Sequence, residues 1–270
     1  MANIEIWNVA SETLIHRFDE VEVQRIALSP DGRLLAGIDG ETVRLFDMES
    51  YEETPGIEGT DGQEMMYLDF SPDSRYLAAG FGDGLVLVWD VDTRQTVFTY
   101  AEQEQGCSGA YNVSFFPDGN YLAGGNDGCL RVWNLESGED ILNTQPGRWH
   151  KRGGIVEIAI SSDGAYLALG NSGAKIIVFD TETWEWIEDF EGYSLKEDKP
   201  VSALTFLPGS SILVGNTQDK LCFWDIETGK ELECMKMRPQ KIMAFPDGKS
   251  LAIWGDDGIS LVNIEEYIKQ

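Results

Sequence analysis

Positively charged residues are scarce in this sequence. Among its 270 residues, 20 are Lys or Arg and 47 are Asp or Glu, which gives a net charge of −27. A protein that binds nucleic acid through its phosphates needs a cationic surface, so this balance excludes nucleic acid as the main partner. Because 42% of the residues are hydrophobic and 11% aromatic, the acidity belongs to a folded surface and not to a disordered chain.

Cysteine and long apolar runs are also scarce. The cysteines, Cys107, Cys129, Cys222 and Cys234, show neither CxxC spacing nor clustering, and this pattern favours reduced thiols in an intracellular protein. No run approaches the roughly 18 apolar residues of a membrane span, and the N-terminus lacks the basic and apolar regions of a signal peptide. We therefore expect a cytoplasmic protein without a membrane partner.

The residues that usually carry catalysis are nearly absent. The sequence has two histidines, His16 and His150, and no GxSxG, HExxH, P-loop or GxGxxG motif in a suitable context. Adjacent carboxylates such as Asp256 and Asp257 lack the spacing of a calcium loop, and in so acidic a chain we interpret them as solvated turn residues. The sequence predicts a protein that is not an enzyme and that has no cofactor or metal site.

A turn motif recurs along the chain at nearly constant spacing. It reads SPDG, SPDS, FPDG, SSDG, LPGS and FPDG, and its second residue falls at positions 30, 72, 117, 162, 208 and 246. The gaps of 42, 45, 45, 46 and 38 residues average about 43, which is the period of a propeller blade. Pro presets φ in such a turn, while Asp and Gly supply side-chain hydrogen bonds and a permissive backbone.

Short apolar β signals fill the intervals, and each interval reads as four strands. The first strands carry alternate apolar residues, for example Ile26 with Leu28 and Leu68 with Phe70. The third strand ends in an aromatic and a short polar residue at Phe46-Asp47, Trp89-Asp90, Trp133-Asn134, Phe179-Asp180 and Trp224-Asp225. With these endings in register with the turns, nearly the whole chain resembles the WD40 repeat family. The resemblance implies an all-β, WD40-type β-propeller that forms a single domain over residues 1–270.

The strand tally leaves two blade counts open. Residues 3–18 read as a third and a fourth strand without a first or second, and the total is 25 strands where six blades need 24 and seven need 28. One explanation is a six-bladed ring closed by an N-terminal outer strand, with one strand supernumerary. The other is a seven-bladed ring with one blade incomplete, because the chain is a fragment or the blade is degenerate. We favour seven blades over six.

The family resemblance implies a non-catalytic scaffold or adaptor that binds proteins or peptides on the loop face around the central channel. The acidic body favours basic segments as partners, whereas a small-molecule substrate is not expected. Two alternatives stay open. In the first alternative, the chain is a regulatory or sensor part of a larger repeat or signalling protein. In the second, which the sequence favours less, it is a small-ligand or metal-dependent propeller enzyme.

Three groups of residues are candidates for partner contact. The first is the basic loop formed by Arg148, Trp149, His150, Lys151 and Arg152, because Trp and Arg are enriched in binding hot spots. The second, the rim set, lies at the start of each first strand and comprises Arg25, Tyr67, Asn112, Glu157, Ala203 and Lys241. The third is Trp184 with Trp186, which we expect at alternate positions of an outer strand, with both rings on one side.

Overall fold

The computed structural model describes residues 4–9, 11–19, 21–101, 112–125, 129–144, 154–173, 175–187, 200–217, 220–255 and 258–268. These residues form 25 β-strands and no helix, as the sequence predicted. They fall into two compact units: unit 1 holds the described residues up to 101 together with 112 and 113, and unit 2 holds those from 114 onward.

Unit 1 contains one two-stranded and two four-stranded antiparallel sheets. The hairpin consists of β1 (Ile4–Asn8) and β2 (Thr13–Phe18). The first blade consists of β3 (Ile26–Leu28), β4 (Leu34–Asp39), β5 (Thr42–Asp47) and β6 (Glu53–Glu58). The second consists of β7 (Met65–Phe70), β8 (Tyr76–Phe81), β9 (Val86–Asp90) and β10 (Thr96–Tyr100).

Unit 2 contains three four-stranded sheets and one three-stranded sheet, and only the first residues of β11 are assigned to unit 1. The third blade has β11 (Asn112–Phe115), β12 (Tyr121–Gly125), β13 (Leu130–Asn134) and β14 (Asp140–Asn143). The fourth has β15 (Ile155–Ile160), β16 (Tyr166–Asn171), β17 (Ile176–Asp180) and β18 (Trp186–Ile187). The fifth has β19 (Leu204–Phe206), β20 (Ile212–Thr217), β21 (Lys220–Asp225) and β22 (Lys230–Met235), and the sixth has β23 (Lys241–Ala244), β24 (Ser250–Gly255) and β25 (Gly258–Asn263).

The turn between the first two strands is closed by its own side chains. In the first blade the Ser29 hydroxyl donates to Asp31 Oδ1 at 2.6 Å, and the same oxygen accepts from the Arg33 N–H at 3.0 Å. The Ser29 Oγ in turn accepts from the Leu34 N–H at 2.9 Å. The second and fourth blades repeat these bonds. In these three blades the Ser and Asp of the motif therefore satisfy backbone donors at the start of the second strand.

These hydrogen bonds make the turn sensitive to acid. The pKa of Asp31 lies below its ordinary value of 3.8, first because Ser29 donates to it and then because the Arg33 N–H does. Such a carboxylate stabilises the fold above its unfolded pKa, and that contribution is lost as the pH falls through the folded pKa. We expect Asp31→Ala to lower the Tm at neutral pH, and the difference from wild type to shrink as the pH falls below 3.8. Thermal melts across this pH range measure it.

The matched control is Asp92→Ala, which removes an exposed aspartate that has no part in such a turn. It lowers the net negative charge equally and is expected to leave the Tm close to that of wild type. An equal effect of both substitutions, or a difference for Asp31→Ala that does not change with pH, would contradict the role of the turn.

The short polar residue that ends each third strand closes the following turn. Asp47 Oδ1 accepts from the N–H groups of Glu49 and Ser50 at 3.0 and 2.8 Å. The equivalent bonds are made by Asp90, Asn134, Asp180, Asp225 and Asn263. The aromatic before this residue is buried in the blade, as at Trp89, Trp133 and Trp224. In each aromatic-polar pair, the aromatic side chain is thus packed in the core and the polar side chain closes the turn.

Adjacent blades within each unit pack face to face through apolar clusters. One cluster joins the first and second blades around Leu45, Met65 and Trp89. Others join the third to the fourth blade, the fourth to the fifth, and the fifth to the sixth. Glycine in the second strand permits this approach: a Cβ on Gly170 would lie 2.6 Å from the Val201 carbonyl oxygen. Each blade therefore depends on its neighbour for burial.

The structure corrects two expectations about the first blade and the blade count. Ile26 and Leu28, read from the sequence as the apolar face of their strand, are each 55% exposed. The β1–β2 hairpin packs on Leu35 and Phe46, in the next two strands of the sheet. The described residues form the predicted 25 strands as six blades and one hairpin. Among the described residues the count is therefore six and not seven, since β1 and β2 pair only with each other there and no first or second strand belonging with them is described.

The expectation of reduced cysteines is also wrong. Cys222 and Cys234 form a disulfide between β21 and β22, where they lie directly opposite each other, and Cys129 is disulfide-bonded as well. The pair could not be predicted from the sequence, because the two cysteines are separated by 12 positions. They are close because the register of β21 and β22 places them opposite each other, and this register has no signature in the cysteine spacing.

Candidate functional site

The rim set was predicted from equivalent positions in the repeat, and in unit 1 the structure brings two of its members together. Arg25 precedes β3 and Tyr67 lies in β7, the first strand of the following blade. The guanidinium carbon of Arg25 lies 5.2 Å from the centre of the Tyr67 ring. A cation over an aromatic face is attracted by the ring quadrupole. Because Arg25 is exposed, this cation–π pair lies at the surface of unit 1.

In unit 2 the rim set forms an ion pair. The Lys241 ammonium of β23 contacts the Glu157 carboxylate of β15, and the Glu157 side chain is only 12% exposed. The fifth blade lies between these two in the chain, and its rim position is the buried Ala203. A methyl group at this position leaves space for the longer side chains to meet. The first strands of three successive blades thus place one acidic and one basic group side by side.

Asn112 departs from the expectation of a solvated rim. It begins β11, but it is only 2% exposed. A buried amide in a folded protein is normally hydrogen-bonded and contributes to structure. Asn112 is therefore less accessible to a partner than Arg25 is.

The two tryptophans of the third group do not share one strand. β18 begins at Trp186, whereas Trp184 lies in the preceding turn with φ of 56°. The Trp184 ring contacts Phe116 edge to face, with ring centroids 6.1 Å apart. Both tryptophans are half-buried against the cluster between the third and fourth blades. The expected pair on one strand face is wrong, because the turn before β18 needs a left-handed residue and Trp184 occupies that position.

The basic loop of Arg148, Trp149, His150, Lys151 and Arg152 lies outside the described residues. Its role in partner contact stays a prediction. The loop connects β14 of the third blade to β15 of the fourth. Glu157 follows it in β15, so the loop and one member of the rim set are close in sequence.

One group of donor atoms in the described chain has the spacing of a metal site. The sulfurs of Cys222 and Cys234 and a carboxylate oxygen of Glu231 lie within 4.8 Å of one another. The two sulfurs are joined in a disulfide, so neither is the thiolate that a metal requires. The sequence did not predict this group, because it depends on the pairing of β21 with β22.

Two segments of the chain are similar to a known protein family. A family model described as WD domain, G-beta repeat, matches residues 57–90 and 96–134. Across the described residues, no helix has the length and apolar character needed to cross a membrane.

Among curated relatives, the chain is 29% identical over 153 residues to Transcription factor unc-37 of Caenorhabditis elegans, covering 51% of this chain and 24% of that protein. It is 27% identical over 145 residues to WD repeat-containing protein SL1-17 of Schistosoma mansoni, covering 52% and 46%. It is 29% identical over 125 residues to Transcription initiation factor TFIID subunit 5 of C. elegans, covering 43% and 17%. The matched part therefore spans less than half the length of each of these relatives.

Solved structures share the arrangement of blades. A chain from the crystal structure of the mitotic checkpoint complex superposes with a TM-score of 0.73 at 18% identity, covering 89% of this chain and 79% of that chain. A chain of Kuenenia stuttgartiensis hydrazine synthase superposes with a TM-score of 0.78 at 13% identity, covering 97% and 89%. At these identities the likeness shows the fold alone, which is a β-propeller.

Proposed function

The chain carries WD40 repeats in a β-propeller fold, and from this premise we propose that it is a non-catalytic platform that binds other proteins or peptides. The matched relatives include a subunit of a transcription initiation factor, and a structural neighbour comes from a multi-protein checkpoint complex. Because these two proteins belong to assemblies of several subunits, the similarity to them supports a scaffold role for this chain. Nucleic acid is excluded from the proposal by the net charge of −27.

The observation that carries the proposal is the paired rim set. Arg25 with Tyr67 in unit 1, and Glu157 with Lys241 in unit 2, place cationic, aromatic and acidic groups at equivalent positions of the first strands of their blades. Aromatic and arginine side chains contribute strongly to protein interfaces. Each of the two pairs suits the polar backbone and charged side chains of a peptide.

The acidic surface indicates the chemistry of the partner. A body with a net charge of −27 attracts cationic segments over long distances and accelerates their association. We therefore propose basic segments as partners, with the rim residues of each unit and the basic loop Arg148–Arg152 as the contacting residues. Within that loop the charges would meet an acidic or aromatic group of the partner.

Affinity capture with quantitative mass spectrometry tests the platform. The baits are wild type, the rim variant Arg25→Ala with Tyr67→Ala, and the loop variant Arg148→Glu with Trp149→Ala. We expect wild type to retain a defined set of proteins, and at least one of the variants to lose them about tenfold, which corresponds to one hot-spot contact. Circular dichroism confirms that each bait is folded.

The matched control bait is Val97→Ala, a substitution of a 53% exposed residue on outer strand β10. It should retain the same proteins as wild type. If no protein is enriched over a blank support, the platform itself is contradicted. If all baits retain the same proteins equally, the proposed contact surface is wrong.

A further inference from the structure

A cavity of about 240 Å³ lies in unit 2 between the third and fourth blades. Its walls include Phe116, Tyr121 and Trp184, and the carboxylates of Asp118 and Asp163. We call this the aromatic pocket. None of its described lining residues belongs to the rim set, and the comparisons assign nothing to it.

Three rings form the apolar part of the aromatic pocket. The Phe116 ring is packed edge to face against Tyr121, with centroids 5.9 Å apart and an interplanar angle of 72°. It meets Trp184 in the same manner at 6.1 Å and 69°. Phe116 is buried at the base, while Tyr121 and Trp184 are half-buried. Aromatic rings gathered in this way present electron-rich faces, which favour cations.

Two carboxylates add negative charge beside these rings. Asp163 Oδ1 accepts from the Ser161 hydroxyl at 2.6 Å and from the Ala165 N–H at 3.0 Å. These bonds, that from Ser161 first, hold the pKa of Asp163 below its ordinary value, so the group is anionic at neutral pH. Asp118 accepts from the backbone and side chain of Asn120. None of the described residues that line the pocket is a Lys or Arg.

In the second blade, the tyrosine equivalent to Tyr121 is in contact with an arginine of the chain itself. Tyr76 corresponds to Tyr121 in the repeat, and the guanidinium carbon of Arg75 lies 4.9 Å from the centre of the Tyr76 ring. Arg75 Nε also donates to Asp90 at 3.1 Å. In the third blade the residue equivalent to Arg75 is Asn120, which is uncharged. The third blade therefore keeps the tyrosine but has Asn120 in place of the arginine and Asn134 in place of Asp90. The carboxylates of the aromatic pocket are instead those of Asp118 and Asp163.

The position of Trp184 gives a second comparison within the repeat. Gly138 and Gly229 occupy the equivalent turn position with φ of 73° and 68°, where glycine has no steric penalty. In the second blade this position is Arg94, whose Nε donates to the Pro55 carbonyl of the first blade at 3.0 Å. Trp184 adopts φ of 56° in spite of its bulk. Its indole forms a wall of the pocket where another blade places a guanidinium.

We propose that the aromatic pocket binds the guanidinium of an arginine side chain supplied by a partner protein. The planar guanidinium stacks on aromatic rings and donates to carboxylates in one geometry, which a lysine ammonium does not reproduce. This inference rests on the proposed function, since it names one chemical group of the basic partner. It adds a contact that is separate from the rim set.

Titration of the isolated protein with short peptides tests the pocket without any natural partner. The probes are acetyl-Gly-Gly-Arg-Gly-Gly-amide and the same peptide with citrulline, which keeps the planar shape and removes the charge. Two-dimensional ¹H–¹⁵N NMR follows the indole N–H of Trp184, identified by its loss in Trp184→Gly. We expect saturable shifts with the arginine peptide and at least about tenfold weaker binding of the citrulline peptide.

Two variants locate the binding. Trp184→Gly restores the residue found at the equivalent turns, so the fold is retained while one wall is removed, and we expect affinity to fall about tenfold. Asp118→Asn removes one charge and is expected to weaken binding severalfold. For Trp184→Gly the shifts are read at the backbone amides of Phe116 and Tyr121. The matched control is Asp73→Asn, the same substitution at the equivalent turn of the second blade, which should bind like wild type.

The results separate this inference from the platform. Equal binding of the arginine and citrulline peptides, no saturable shift, or unchanged affinity in Trp184→Gly would each overturn the pocket. If that occurs while wild type still captures proteins through the rim set or the basic loop, the pocket proposal fails and the platform stands. If capture fails as well, the proposed function fails too.

Discussion

Replacing Trp89 by alanine is expected to lower the free energy of unfolding by about 3–5 kcal/mol. Trp89 is 1% exposed and lies in the cluster that joins the first and second blades, among residues that include Leu45 and Met65. Removal of the indole takes away apolar burial and leaves a cavity that rigid neighbouring strands fill only partly. Each kcal/mol corresponds to about 2–4 °C in Tm for a protein of this size class. Thermal or urea unfolding followed by circular dichroism measures the loss.

The control for this experiment is Trp254→Ala, the same substitution at a tryptophan that is 54% exposed on β24. Its indole makes little contact with the core, so we expect a change of less than about 1 kcal/mol. If both variants lose stability equally, or if Trp89→Ala unfolds like wild type, then the buried aromatic of the third strand does not anchor the blades.

Loss of the Cys222–Cys234 disulfide is expected to cost about 3 kcal/mol. The bond closes a loop of 12 residues, and the chain-entropy relation gives about this value because the cross-link restricts the unfolded chain. We therefore expect a reductant to lower the Tm by several degrees, and Cys222→Ala with Cys234→Ala to have a similar effect under oxidising conditions. Alkylation of free thiols followed by mass spectrometry shows whether the bond is present.

The double variant also serves as the control for reduction. Cys129 is disulfide-bonded too, so the effect of a reductant on the double variant measures what the other cross-link contributes. A protein isolated without reductant whose Cys222 and Cys234 both react with the alkylating agent would contradict the bond. That result would favour the reduced, intracellular state expected from sequence, since structural disulfides are rare in the cytosol.

The candidate site was only partly accessible from sequence. The repeat period gave the equivalent positions of Arg25, Tyr67, Glu157 and Lys241, and the structure places these residues in two contacting pairs. Those contacts depend on which strands of neighbouring blades lie together, and the period does not state this. Asn112 shows the limit, because its position in the repeat is equivalent while its burial is not. The role of all these residues in partner binding is still to be tested.

The aromatic pocket could not be predicted from sequence. Phe116 and Trp184 are separated by more than one repeat, and they meet because the third and fourth blades pack face to face. The sequence signal at Trp184 suggested a strand, since alternating aromatic residues are typical of one. The turn closed by Asp180 requires a left-handed residue four positions later, and this local requirement prevailed.

By itself the sequence determined the secondary structure and the fold class. The PDG-like turns and the aromatic-polar strand endings are local signals, since each acts through hydrogen bonds or burial within a few residues, and the 25 strands follow them. Tertiary structure decided what depends on contacts between distant residues: the six blades, the exposure of Ile26 and Leu28, the Cys222–Cys234 bond and the aromatic pocket. The physical reason is that strand register and blade packing bring together side chains whose separation along the chain carries no signal.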